Sequence, residues 1–384
     1  MKTDEYGVKY SNNGRILYEF PNDLEGEYII PEGVKEIKKY ALECRPYNVY
    51  PKLSSLRISK TVVKIGDSSG YRWLDSISID KDNPVYDSRE DCKAIIETKS
   101  NTLLYGCKHA FVPNGVKKIN MQAFDDAYAE SKLFIPASVE EIDAMSFCLT
   151  SVDYIEVDAA NKFYDSRDNC NAIIDSRSNT LILGSSHTSI PLGVESIGEG
   201  AFENCPGIQR LVIPESVYSL KEGAFCSAEI GEIYISKSVE RIDPTAFGNC
   251  IIRKIYVDEN NTTFYEKGNC LITKDTARLR IAGNNFTIPH EVKIIGSCSL
   301  TLSEDGLLEI PDGVVEIMSG AITVRGVRLR LVLPSSVKLI MDQFLSEKDI
   351  EEIDTLRKID IFDYDSIRNE YLLEDIRKYG KQIY

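Results

Sequence analysis

Few residues in this chain have the types and spacing that chemistry needs. It holds three histidines, His109, His187 and His290. His109 and His187 lie 78 residues apart, three residues before Val112 and Ile190, at equivalent points of a repeating phrase. They read as copies of one position, not as a catalytic pair. No H-E-x-x-H, G-x-S-x-G or phosphate-loop phrase occurs. The runs Asp80-Lys-Asp82-Asn83 and Asp258-Glu-Asn260-Asn261 suggest calcium at first sight. A calcium loop also needs a turn glycine and a closing glutamate at set spacing, which these lack, so they read as side-chain caps of turns. Asn261-Thr-Thr263 and Asn285-Phe-Thr287 are formal glycosylation sequons and carry little weight without a secretory leader. The expectation is no catalytic residue, no cofactor and no metal ligand set, and hence no enzyme.

The ten cysteines include no C-x₂-C pair. Cys205 and Cys250 each follow the Phe of an Ala-Phe pair by three residues, and Cys92, Cys170 and Cys270 are read as one position in three matching insertions. A column of cysteine marks a small buried apolar slot, so reduced core thiols are expected.

What positions all of these is a repeat. An apolar residue, Pro, two residues, Val, two residues and an apolar residue recur from Ile30-Pro31…Val34…Ile37 onward. Copies begin at Val112-Pro113, Ile135-Pro136, Ile190-Pro191, Ile213-Pro214, Ile288-Pro289, Ile310-Pro311 and Leu333-Pro334; Ile58-Ser59 and Ile235-Ser236 replace Pro with Ser. With the apolar residue before Pro as marker, and with Ile79, Val157, Val257 and Ile361 included, the basic period is 22–23 residues, with intervals of 28 and 21 at the start and 28 at the end, and it lengthens to 33, 33 and 31 at three places. Self-similarity at such a period denotes a solenoid. The three long intervals share one insertion, from Asp80, Asp158 and Asp258, each read as two short strands around a polar turn; hairpins are expected near 84–106, 162–184 and 262–283. Residues 7–28 look like a fourth copy.

In a typical repeat, Ile208, Leu211 and Ile213 feed a core while residues 210 and 212 point outward, the alternation of a strand. Pro214 ends that strand because it cannot donate to a ladder. Val217 and Leu220 turn inward again, and Glu222-Gly-Ala-Phe225 reads as a short helical or 3₁₀ turn with an aromatic plug. At the C-terminus, Ile367, Tyr371, Leu372, Ile376 and Tyr379 share one helical face and predict a capping helix over 365–380.

Net charge is −15, which argues against nucleic acid, a ligand that calls for a basic footprint. No apolar run long enough to span a membrane is present. The N-terminus, Met1-Lys2-Thr3-Asp4, lacks the apolar stretch of a secretory signal. A cytoplasmic location is expected, or a cell-surface or secreted one if a leader was removed.

These phrases resemble the BspA-like class of leucine-rich repeats, whose pattern runs approximately L-x-x-L-x-I-P-x-S/G-V-x-x-I-G-x-x-A-F-x-x-C. Ile190-Pro191, Gly193, Val194, Ile197, Gly198, Ala201, Phe202 and Cys205 follow it closely. The resemblance covers roughly residues 16–361. It implies a leucine-rich-repeat solenoid, mostly β, with a parallel sheet on one face, short helical or 3₁₀ turns, β-hairpin insertions and a C-terminal capping helix. The expected organisation is one solenoid over 1–364, with residues 1–29 as an N-terminal hairpin cap, and the capping helix in 365–384. Members of the class are often surface proteins of host-associated bacteria, so the resemblance also implies adhesion or host-protein interaction.

The outward side of the sheet holds the candidate site. One residue before the markers lie Phe134, Tyr234 and Tyr256; three before lie Lys132, Tyr154, Arg210 and Lys254. Aromatics and arginine are enriched where proteins bind one another. Lys132, Phe134, Tyr154, Arg210, Tyr234, Lys254 and Tyr256 are therefore the ligand-binding candidates, on one outward strip, with an acidic protein as the expected partner. The alternative is an accessory or structural subunit of a larger cytosolic complex.

Overall fold

The computed structural model describes residues 1–42, 52–66, 69–121, 123–124, 132–143, 145–147, 152–304, 306–325, 329–334, 336–341 and 360–362. The capping helix expected at 365–380 lies outside them. The chain divides into two compact units, Met1–Ser178 with Ile182–His187, and Asn179–Leu181 with Thr188–Tyr384. Each is a β-solenoid of stacked coils, called rungs here. Among the described residues helix is confined to 3₁₀ segments such as Ser69–Trp73, Arg89–Asp91 and Arg167–Asn169, and no helix there is long and apolar enough to cross a membrane.

The marker strands pair in parallel. In unit 1, Gly26–Ile29, Leu53–Ile58 and Ser76–Ile79 form one sheet, and Lys132–Ile135 with Tyr154–Val157 another. In unit 2, Ile208–Ile213, Glu229–Ile235 and Ile251–Val257 form a sheet, as do Gly306–Glu309, Leu329–Val332 and Asp360–Phe362. A second parallel column, which the pattern did not announce, runs through the Val-x-x-Ile half of the phrase. Ser196–Ile197, Ser219–Leu220 and Arg241–Ile242 are one stretch of it, with Leu220 opposite Ile197 and Ile242 opposite Leu220.

Between the two columns the chain turns at Pro-x-Gly-Val or Pro-x-Ser-Val. The Val amide donates to the Pro carbonyl, as Val34 does to Pro31 at 3.4 Å. Gly33 has φ +99° and Gly193 φ +91°, a conformation that costs glycine nothing and L side chains much. The Val column (Val34, Val116, Val194, Val217, Val239, Val314) is buried, each side chain contributing about 1.5–3 kcal/mol. Phe202, Phe225 and Phe247 stack behind it, with ring centroids 5.3 and 5.2 Å apart.

Four expectations need correction. Glu222–Ser227 forms successive β-turns, not a helix: Phe225 and Ser227 donate their amides sideways to Ala246 and Gly248 of the next rung, each at 2.7 Å, and so cannot close helical turns. The parallel sheet is also absent at the markers Val112, Ile190 and Ile288, the rungs that follow each insertion. There the insertion takes the hydrogen bonds that a neighbouring strand would take. Phe111 donates to Cys92 and Thr287 to Gly268.

The insertions, in turn, hold three strands, not two. In the first, Tyr86–Asp87 and Ala94–Glu97 are antiparallel, and so are Ala94–Glu97 and Thr102–Gly106. Thr102–Gly106 then runs parallel to Lys118–Ile119 and so joins the second column. Residues Lys2–Thr3, Lys9–Tyr10 and Ile16–Glu19 repeat this arrangement, ending parallel to Glu36–Ile37. Finally, Cys270 is not the counterpart of Cys92 and Cys170. Cys270 pairs with Ala282 as Ala94 pairs with Gly106, so it takes the alanine position. The third insertion joins Lys267 to Cys270 through Gly268 and Asn269, with φ +62° and +60°, a two-residue hairpin turn. That tighter turn replaces the 3₁₀ turn of the other copies and accounts for 31 residues in place of 33.

Candidate binding face

The seven candidates stand on two sheets. In unit 1, Lys132 lies opposite Tyr154 and Phe134 opposite Glu156. Leu133, Ile135, Ile155 and Val157 are buried beneath them, so the alternation of the strands sends Lys132, Phe134, Tyr154 and Glu156 outward. Tyr154 is 59% exposed and stacks on His187, 6.0 Å between ring centroids and 8° from parallel. Lys132 Nζ sits 2.6 Å from Glu156 Oε2, which neutralises its charge.

In unit 2, Arg210, Glu232 and Lys254 form one row across the sheet, and Val212, Tyr234 and Tyr256 the next. Ile233 and Ile255 hold the strands down from below. The Arg210 guanidinium lies 4.5 Å from the centre of the Tyr234 ring. Tyr234 stacks on Tyr256 at 4.4 Å and 10°. Lys254 Nζ is 5.9 Å from the Tyr256 ring. The Tyr234 hydroxyl donates to Glu232 Oε2 at 2.9 Å, and that bond raises its pKa. Neither Arg210 nor Lys254 makes an ion pair among the described residues, so this sheet carries uncommitted positive charge.

Glu156 and Glu232 are face residues that the sequence reading passed over. They occupy the same offsets, one and three residues before the markers Val157 and Ile235, and the period alone would have found them. They make the face mixed in sign.

The other sequence candidates are structural. Asn83, Asn161 and Asn261 each give both amide hydrogens to carbonyls one rung back; for Asn261 these are Ser236 and Val239 at 2.8 and 3.0 Å. Each side-chain oxygen takes two amides of its own insertion, Thr263 and Phe264 for Asn261. Asp80, Asp158 and Asp258 cap the same turns. The eight described cysteines are free thiols, and burial raises the pKa of Cys92, Cys205 and Cys270 to about 12.

The family described as the BspA type leucine rich repeat region matches residues 96–190 and 183–270, in 6 copies. Residues 96–270 are thus a BspA-type leucine-rich-repeat region. No curated protein matches the chain. Among solved structures, this chain is similar to a leucine rich cell surface protein from Faecalibacterium prausnitzii A2-165, at 17% identity, over 88% of this chain and 89% of that one, with a TM-score of 0.37. It is similar to a leucine-rich repeat protein from Eubacterium ventriosum at 13% identity, over 87% and 91% of the two chains, with a TM-score of 0.40. A third, from Bacteroides ovatus, shares 16% identity over 88% and 90%, with a TM-score of 0.35.

Proposed function

We propose that this repeat scaffold is a non-enzymatic binding protein whose ligand is another protein, in a role of adhesion or host-protein interaction. The observation that carries the reading is the Arg210–Tyr234–Tyr256 stack with Lys254 beside it. Stacked aromatics on a rigid sheet lose little freedom on binding and offer large amphipathic contact area. The free cations at Arg210 and Lys254 favour acidic groups on the partner, while the net charge of −15 repels such a partner elsewhere. Lys132, Phe134 and Tyr154 form the second patch of this reading, with Glu156 tempering its charge.

The test uses purified wild type and the Tyr234→Ala/Tyr256→Ala variant as paired baits. A partner retained by the wild type, lost by the double variant and released by salt supports the reading. Equal retention by both, with unchanged melting, would place the ligand elsewhere.

A further inference from the structure

The second column breaks before each insertion, and the three breaks are closed differently. Ile65 gives its amide hydrogen to the Tyr86 hydroxyl at 3.2 Å, and Ile142 gives its own to the Tyr164 hydroxyl at 2.8 Å. In the third insertion the corresponding residue is Phe264, which pairs with Thr273 as Tyr164 pairs with Asp175, and it has no hydroxyl. A different group reaches the broken ladder: Arg280 donates from Nη2 to the carbonyl of Ile242. Strand pairing aligns Leu103, Leu181 and Leu279 at one point. The next residues are Leu104, Ile182 and Arg280, so a guanidinium occupies a place that the two sister copies fill with aliphatic side chains.

Arg280 lies on the wall of a cleft of ≈ 720 Å³. Of its five N–H donors one goes to Ile242, and no carboxylate is within ion-pair distance among the described residues. Five carboxylates line the same cleft, Glu199, Glu222, Glu240, Asp243 and Asp275, with Lys221 and Arg241 as the other cations. None of these groups is ion-paired among the described residues; Arg241 lies over the Tyr218 ring instead, at 5.1 Å. Elsewhere on this column opposite charges on adjacent rungs close up, as Lys64 does on Glu36 at 3.1 Å and Lys118 on Glu141 at 2.6 Å. Asp243 Oδ1 accepts from the amide and hydroxyl of Thr245 at 2.8 and 2.7 Å, and the cleft holds both signs of charge with no ion pair between them among the described residues. Burial, and after it the like charge of Arg278, depress the Arg280 pKa, with Asp243 opposing.

We propose that this cleft binds a small zwitterion, the end of a peptide or a free amino acid. Its carboxylate seats on Arg280 and its ammonium faces the carboxylates of the walls. A guanidinium fork matches a carboxylate in shape and charge. The surrounding carboxylates reject a multiply charged anion such as phosphate and supply the counter-charge that a simple carboxylate lacks.

The sister copies provide the controls. R280I installs the aliphatic residue of Ile182, and F264Y with R280I recreates the full solution of the first two insertions, hydroxyl included. Calorimetric titration of the full chain would use glycine, triglycine, acetate and inorganic phosphate. Triglycine or glycine should bind, and which one binds better tells a peptide end from a free amino acid. Acetate and phosphate should bind at least about tenfold more weakly, and R280I should weaken zwitterion binding by at least about tenfold, in line with loss of a charge-assisted pair. F264Y/R280I should keep the wild-type melting temperature while losing the ligand. Three results would overturn the site: no zwitterion binding to the wild type, phosphate or acetate binding equally well, or unchanged affinity in either variant. Any of them would leave Arg280 as a clip for the Ile242 carbonyl and nothing more.

Discussion

The amide of Gly193 donates to Ser216 Oγ, one rung onward, at 3.0 Å. The same bond joins Gly33 to Thr61 at 2.9 Å, and Gly115 to Ser138 and Gly313 to Ser336 at 3.0 Å. The alternation of Pro-x-Gly-Val with Pro-x-Ser-Val or its Thr form is thus a rung-to-rung device. Glycine turns its peptide so that the N–H points along the stack, and the hydroxyl of the next rung receives it.

Gly193→Ala should therefore destabilise unit 2. With φ +91° the added Cβ is strained at a cost of about 1–3 kcal/mol. Leu192→Ala, one residue away but 73% exposed, should stay within about 0.5 kcal/mol. Urea melts compare the two; equal midpoints would remove the turn argument.

Phe225 sits between Phe202 and Phe247, whereas Phe202 has one stacking partner among the described aromatics. Phe202→Ala should cost about 3–5 kcal/mol and Phe225→Ala at least as much. Glu203 is half-buried, so exposed Glu229→Ala is the control, within about 0.5 kcal/mol. A Phe225→Ala variant as stable as wild type would refute the ladder.

Thiol chemistry should separate native from unfolded chain. Burial raises the Cys205 pKa to about 12, and a thiol so held reacts slowly at neutral pH. In denaturant without reductant, nearly all ten cysteines should titrate as free. Recovery of only a few would indicate bridges and reverse the prediction.

Acid should loosen the insertions. Burial works against the charge of Asp87, and of Asp165, but hydrogen bonds outweigh it, above all from Arg89 and Arg167 at 2.6–2.8 Å. Both carboxyls therefore titrate below the usual aspartate value of about 3.9. A lowered native pKa stabilises fully above the unfolded value and is lost as pH falls through the native one. The melting temperature should hold steady from about pH 7 to about pH 5 and fall below about pH 4. Asp87→Asn with Asp165→Asn should show a shallower fall; an identical acid profile would exclude these pairs as contributors.

Much of this molecule was readable in its sequence. The spacing of Ile-Pro-x-x-Val-x-x-Ile carried the solenoid, the buried Val column, the plug at Phe202 and Phe225 and the kinship of the insertions, because each depends on residues within one period. The outward offsets likewise carried Arg210, Tyr234, Lys254 and Tyr256 onto one sheet of unit 2. What the tertiary structure decided depends on which backbone groups meet between rungs. Val112, Ile190 and Ile288 keep the phrase but lose the strand; at Val112 and Ile288 insertion backbones take the neighbouring hydrogen bonds. Glu222–Phe225 has helical spacing but turns instead, since the amides of Gly223 and Phe225 go sideways. Lys132 reads as a free cation until Glu156 is found beside it, and Arg280 as one more surface arginine until its Nη2 is found on the Ile242 carbonyl. A repeat specifies positions within its own period; the partner that each position meets is set by the rung stacked against it.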